Sequence, residues 1–145
     1  MFDIRQIQPE ETYDIRPEVF QPNETKFVEM YEGDHFGDAF HLGAFLNDQL
    51  VSIASFFHDK HPSFEEENQY RLRGMATLEA YRGKGAGRAI LKEGERILKK
   101  RHARLLWCHA KYPVSDYYKN FGFREYGHVF VIDTIGPHKL MYKIM

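Results

Sequence analysis

Tyr70-Arg71-Leu72-Arg73-Gly74-Met75-Ala76-Thr77-Leu78, followed by Glu79-Ala80-Tyr81-Arg82-Gly83-Lys84 and then Gly85 to Arg101, sets the reading of this chain. The first run has the alternating, β-compatible character of a strand. The second is a short connection rich in glycine and base. The third is a helix, with Ala86, Ile90, Leu91, Gly94, Ile97 and Leu98 at helical spacing along one face and Arg88, Lys92, Glu95, Arg96, Lys99 and Lys100 on the other. Arg104 to Ala110 is a further apolar strand. Strand, helix and strand in that order predict a parallel crossover.

Outward from this unit the elements are shorter. Phe2 to Ile7 reads as a strand broken by Pro9. Glu10 to Phe20 reads as a helix that Pro17 divides into two pieces, and Gln21 to Gly33 as irregular. Ala39 to Leu46 and Gln49 to His58 predict a hairpin, with Asn47-Asp48 as its tight turn. Asp59 to Gln69, with Pro62 and the run Glu65-Glu66-Glu67, reads as a solvated loop. Pro113 opens a short helix to about Lys119, which Asn120 and Gly122 stop. Arg124 to Asp133 and Lys139 to Ile144 predict two late strands, with Ile135-Gly136-Pro137-His138 turning between them. The expected fold is α/β (α+β in some schemes): a mixed, mostly antiparallel sheet of six to seven strands with helices on both faces. A length of 145 residues suits one domain, taken as residues 1–145.

Composition narrows the function classes. With 43% hydrophobic residues, 12 Phe and 9 Tyr, the chain can bury a core, and 28% charged residues is ordinary for a folded domain. A net charge of -1 and a pI near 6.7 give no electrostatic footprint for nucleic acid. No apolar run reaches the roughly 20 residues of a membrane span, and Met1-Phe2-Asp3-Ile4-Arg5 lacks a signal-peptide pattern. Cys108 is the single cysteine, so no intrachain disulfide forms, and the expected location is the cytoplasm. Among eight histidines only His58-x-x-His61 approaches a metal spacing, and no metal is expected.

The glycine connection carries the chemistry. Gly83, Gly85 and Gly87 let backbone approach a ligand. The amides opening the helix favour an anion, and Arg82, Lys84 and Arg88 add charge. A diphosphate fits these features. The nucleoside-triphosphate loop, Gly-x-x-x-x-Gly-Lys, is absent. The dinucleotide pattern, Gly-x-Gly-x-x-Gly, fails because Arg88 stands at its third glycine. Arg82-x-x-Gly85-x-Gly87 remains, and by itself it leaves an unliganded strand-to-helix turn equally open.

That pattern resembles the pyrophosphate loop of the GNAT superfamily of N-acetyltransferases. Arg73-Gly74-Met75-Ala76-Thr77 resembles the family's cofactor strand, and Leu106-Trp107-Cys108-His109-Ala110 its next strand. Asp116-Tyr117-Tyr118-Lys119-Asn120-Phe121-Gly122-Phe123 resembles its short helix ending in Tyr-x-x-x-Gly-Phe. His41-Leu42-Gly43 and Ile135-Gly136-Pro137-His138 are similar to a small bacterial-type branch. The resemblance covers most of residues 39 to 145. It implies a splayed parallel strand pair and acetyl-CoA as co-substrate. Met75, Ala76 and Thr77 would bind acetyl and pantetheine, with the amide near Met75 polarising the thioester carbonyl. Arg82, Gly83, Lys84, Gly85, Ala86, Gly87 and Arg88 would hold the pyrophosphate. Tyr118 would be the general acid, with Tyr117 as the off-spacing neighbour.

Two positions depart from the family pattern. Lys111 stands where many members carry Asn, and Arg71 where histone-modifying members carry a Glu base. A guanidinium stays protonated and cannot accept the amine's proton. His41, His109 and His138 are the candidate bases, with His109 read as a core residue and His138 kept in the site. Arg71 and Arg73 are open to a substrate carboxylate, with pairing to acidic side chains the ordinary reading. The activity implied is acetyl transfer to a primary amine of a small molecule or peptide by direct attack. A non-catalytic acyl-CoA sensor is the alternative. Partners are the amine substrate only, with neither nucleic acid nor membrane, and oligomeric state is left open, a homodimer included.

Overall fold

The computed structural model describes residues 1–20, 29–133 and 135–145; of the expected irregular stretch 21–33, residues 21–28 lie outside the described part. Seven strands form a mixed sheet: β1 (Asp3–Ile7), β2 (Phe40–Leu46), β3 (Gln49–His58), β4 (Gln69–Thr77), β5 (Leu105–Lys111), β6 (Arg124–Ile132) and β7 (Gly136–Ile144). Three α-helices stand among the described residues: α1 (Ile15–Phe20), α2 (Ala86–Lys100) and α3 (Ser115–Lys119). The strand order is β1-β2-β3-β4-β5-β7-β6. The ladders β1–β2, β2–β3, β5–β7 and β7–β6 are antiparallel, and β4 pairs with β5 in parallel. The chain divides into two compact units, residues 1–57 with 72–97, and residues 58–71 with 98–145.

In the first unit β1 and β3 flank β2 in antiparallel register. Asn47 and Asp48 both have positive φ, 50° and 64°, as a two-residue hairpin turn requires. Pro17 sits in the first turn of α1, where its missing N–H costs little; a 3-10 turn, Pro9–Thr12, forms the separate first piece. Strand parity places the helices. Ile53 of β3 joins Ile7, Ile15 and Ala76 in one apolar cluster, so α1 covers that face. Phe56, of opposite parity, lies against α2, where a side chain at Gly94 would collide with the Phe56 ring. The expectation of helices on both faces therefore holds within this unit.

In the second unit the parallel register joins Gln69–Arg71 to Leu105–Trp107. β7 lies between β5 and β6, with Trp107 opposite Tyr142 and Tyr126 opposite Leu140. Phe64, Leu105, Trp107 and Leu140 form its apolar cluster. Two readings need correction here. The segment 59–69 is not merely solvated. Phe64 is buried, and buried Gln69 ties the loop by donating to the Phe64 and Glu66 carbonyls while accepting from the His61 amide. Nor is 135–138 a turn. Gly136, Pro137 and His138 already pair with Ile132, Val131 and Phe130 of β6. β7's pairing with β5 ends at His138, so Pro137 lies beyond it and its absent N–H disrupts no ladder on that side.

Candidate active site

β4 delivers the first group of site residues. Gly74 has φ +67° inside the strand, so the backbone kinks one residue before Met75. A side chain there would also meet Tyr31 Cε2 at 2.9 Å. A glycine inside a strand pattern is the sequence signal for such a kink. Beyond it Ala76 is buried, while Met75 and Thr77 are half-buried. Buried Ser52 of β3 pins this segment by donating to the Ala76 carbonyl at 3.1 Å and meeting Thr77 Oγ1 at 2.7 Å. Leu78 N–H donates to the Val51 carbonyl. The sequence reading missed Ser52, because a serine within an apolar strand carries no mark of its partner.

The loop follows directly. A 3-10 turn, Glu79–Tyr81, leads to Arg82, whose Nε donates to the Thr77 carbonyl at 3.1 Å and ties the loop to its strand. Gly83 and Gly85 adopt φ +75° and +90°, a region that side chains other than glycine rarely enter. Nothing lies within 4 Å of the Cβ position of either, so the backbone there is open to an incoming group. α2 begins at Ala86, and Ala89 N–H to Gly85 C=O at 3.1 Å is the bond of its first turn. The Ala86 and Gly87 amides precede that bond and have no acceptor within the helix. Arg82, Lys84 and Arg88 are exposed around this opening. Glycines with clear space and unclaimed helix amides beside three cations fit a pyrophosphate.

The second unit carries the other residues singled out. Tyr118 lies on α3, its ring edge-on to Tyr117 and Phe123. Burial above all, then the neighbouring Cys108 and Tyr117, push its phenol far above the ordinary range, so it stays protonated at every working pH. His138 is buried on β7, and its Nδ1–H donates to the Gly136 carbonyl at 2.9 Å. In the neutral ring this bond leaves the lone pair on Nε2, the tautomer a base at that nitrogen needs. Cys108 is buried and its thiol is pushed up to about 12 by burial, which removes it as a nucleophile. Among the described residues no group of three or more His, Cys, Asp or Glu side chains is arranged to hold a metal.

The remaining candidates separate. His41 is buried and spent at both nitrogens: Nε2–H donates to the Asp34 carbonyl at 2.9 Å and Nδ1 accepts from Ser55 Oγ at 2.7 Å. It is structural and leaves the list of bases. His109 Nδ1 accepts from Arg71 at 3.4 Å within a cluster of Trp107, His61 and Phe130 rings. Arg71 also stands over the Trp107 ring at 5.0 Å. Among the described residues Arg73 has no acidic partner; its contact is the Tyr31 ring, with Cζ 4.0 Å from the centroid. Arg16 and the Tyr31 amide hold Asp34, and the Tyr31 hydroxyl donates to Glu29.

The family profile described as Acetyltransferase (GNAT) family matches residues 1–123. The chain is 40% identical over 145 residues to the uncharacterized N-acetyltransferase YitI of Bacillus subtilis (strain 168), covering 100% of this chain and 97% of that one. This chain belongs to the GNAT acetyltransferase family. Solved structures agree on the fold. Escherichia coli ElaA superposes with a TM-score of 0.78 at 20% identity, over 99% of each chain. An aminoglycoside 6'-N-acetyltransferase complexed with coenzyme A superposes with a TM-score of 0.73 at 10% identity, over 98% of this chain and 96% of that one. Membership agrees with the resemblance read from β4, the glycine loop and α3. No helix among the described residues is long and apolar enough to cross a membrane.

Proposed function

We propose that the protein transfers an acetyl group from acetyl-CoA to a primary amine of a small molecule or peptide by direct attack. The observation that carries this reading is the loop after β4. Gly83 and Gly85 hold a backbone only glycine adopts readily, with no atom near their Cβ positions, at the mouth of α2 and beside Arg82, Lys84 and Arg88. Amides from Gly83 to Arg88 hold the pyrophosphate, and main-chain groups of Met75 to Thr77 hold the pantetheine and acetyl. The kink at Gly74 and the Ser52 and Arg82 bonds fix that strand end, so the Met75 amide meets the thioester carbonyl in a set orientation.

The amine nitrogen attacks the carbonyl carbon to form a tetrahedral intermediate with its charge on the former carbonyl oxygen; as that intermediate collapses the C–S bond breaks and coenzyme A leaves as a thiolate. Tyr118 donates the proton that the sulfur takes up; burial keeps its phenol protonated but makes it a weaker acid, so its help sits at the low end of the general-acid range. The amine's proton passes to His138 Nε2 or to a water chain, since Arg71 cannot accept it. Buried Cys108 takes no covalent part.

One observation favours a second reading. Arg71 replaces the carboxylate base of some relatives, which fits a non-catalytic acyl-CoA sensor on the same fold. Coenzyme A release from acetyl-CoA with polyamines, amino acids, aminoglycosides and peptides separates the two. Release that depends on one class of amine supports the enzyme; tight acetyl-CoA binding without release on any amine supports the sensor.

A further inference from the structure

Tyr31 lies between two guanidinium groups. Arg16 Cζ is 3.8 Å and Arg73 Cζ 4.0 Å from its ring centroid. Two like charges over one ring at that height occupy opposite faces. Their fates differ. Arg16 is fully buried and committed to both Asp34 oxygens, to Ser55 Oγ and to the Glu29 carbonyl. Arg73 is exposed, and among the described residues no carboxylate is bonded to it. With its Cζ over the ring, the exposed guanidinium keeps N–H donors, and a guanidinium can grip a carboxylate at two points. The ring holds the side chain in place, so little rotamer entropy is left to lose on binding. Arg73 stands two residues before Met75, less than about 7 Å along the strand.

We infer that Arg73 docks a carboxylate of the acceptor, so that the acceptor is an amine that also carries an acid: a free amino acid, or a peptide at an acidic end. This rests on the acetyl-transfer reading and deepens it by naming the substrate class. Arg16 and Tyr31 act as positioning residues that aim Arg73 toward the segment where the acetyl group is held.

The test uses matched acceptors, amino acids and short peptides, each supplied as the acid and as its C-terminal amide, with coenzyme A release as the readout. The acid form has a kcat/KM about 10- to 100-fold above the amide, the worth of a charge-assisted pair. Arg73→Gln brings the acid down to the amide and leaves the amide unchanged, and Arg73→Lys restores only part of the preference. Whether amino acids or peptides show the larger ratio identifies the source of the carboxylate. Equal rates for acid and amide, or an equal fall of both in Arg73→Gln, overturn the inference. A second arm follows the Arg73 Nε–H resonance of labelled protein while an N-acetyl amino acid or its amide is added. A saturable shift with the acid alone supports the site, and no shift overturns it. If that shift appears while no amine releases coenzyme A, the carboxylate site stands and the acetyl-transfer reading falls.

Discussion

The first unit places its charges in two contrasting ways. Around α1, β2 and β3, Arg16, Asp34, Ser55 and His41 form a closed buried network: Arg16 reaches Asp34 at 2.8 and 2.9 Å and Ser55 Oγ at 2.9 Å, and Ser55 reaches His41. After β4, Arg82, Lys84 and Arg88 stand exposed around an open glycine backbone. The same residue types thus serve two ends. Buried charges enclosed by their partners are committed to the fold, and exposed charges around an open glycine backbone can face a ligand even where, as at Arg82, one nitrogen already ties the loop to its strand. The contrast also divides the histidines. His41, enclosed on both nitrogens, belongs to the first class, while His138, anchored at Nδ1 alone by the bonds described, retains an accepting nitrogen.

The sharpest way to break this comparison is to open the network. Asp34→Ala leaves the Arg16 charge buried without its partner, and stability measured by urea unfolding falls by about 3–5 kcal/mol. Arg16→Met together with Asp34→Leu recovers much of that loss, because both charges are then gone. Unfolding at the same stability in the single variant would mean that the network contributes nothing to the fold.

On the catalytic side, Tyr118→Phe lowers kcat toward the low end of the roughly 10²–10⁴-fold worth of general acid help, with acetyl-CoA affinity nearly unchanged. An equal kcat, with chemistry shown to limit turnover, reduces Tyr118 to a packing residue. The loop comes next. Gly85→Val weakens coenzyme A binding by about tenfold or more, since φ +90° costs a side-chain residue on the order of 1–2 kcal/mol before any steric block. Gly85→Asn, which tolerates that backbone better, loses less. Calorimetry giving one affinity for all three proteins would show that the loop backbone is not the binding surface.

A smaller effect is the pH dependence of stability. Burial opposes ionisation of Asp34, but hydrogen bonds from Arg16 and the Tyr31 amide, with the charge of Arg16, outweigh it and hold the carboxyl below its ordinary value. Burial holds His41 below the ordinary histidine value. In both cases the unfolded chain takes up protons before the folded one, so stability falls as pH falls, first below about 6.5 through His41 and again below about 4 through Asp34. His41→Gln removes the upper part of this slope in unfolding titrations. The smallest expected effect is Arg71→Gln, which leaves the alkaline rise of the pH–rate profile in place, whereas His138→Gln alters it. If the rise vanished with Arg71 and survived the loss of His138, the two roles assigned here would be reversed.

Periodicity and residue type alone determined the strand, glycine loop and amphipathic helix from Tyr70 to Arg101 and the hairpin at Asn47-Asp48; the family was legible through the resemblance of these and later motifs to known acetyltransferases. Each of these signals is local: a turn needs positive φ at two adjacent residues, and a helix face needs apolar residues at a repeating interval. What tertiary structure decided was long-range. His41 and Ser55 are 14 positions apart, and the Arg16 that bonds the same Ser55 is 39 away from it, so nothing in the neighbourhood of His41 marks the network that retires it from catalysis. Pro137 and Gly136 read as a turn because both punctuate local structure, yet β7 begins there because β6 pairs with them while the ladder to β5 stops at His138. Arg73 read as one more charge to be paired. Only the packed chain sets this exposed guanidinium over the Tyr31 ring and leaves it, among the described residues, with no bonded carboxylate.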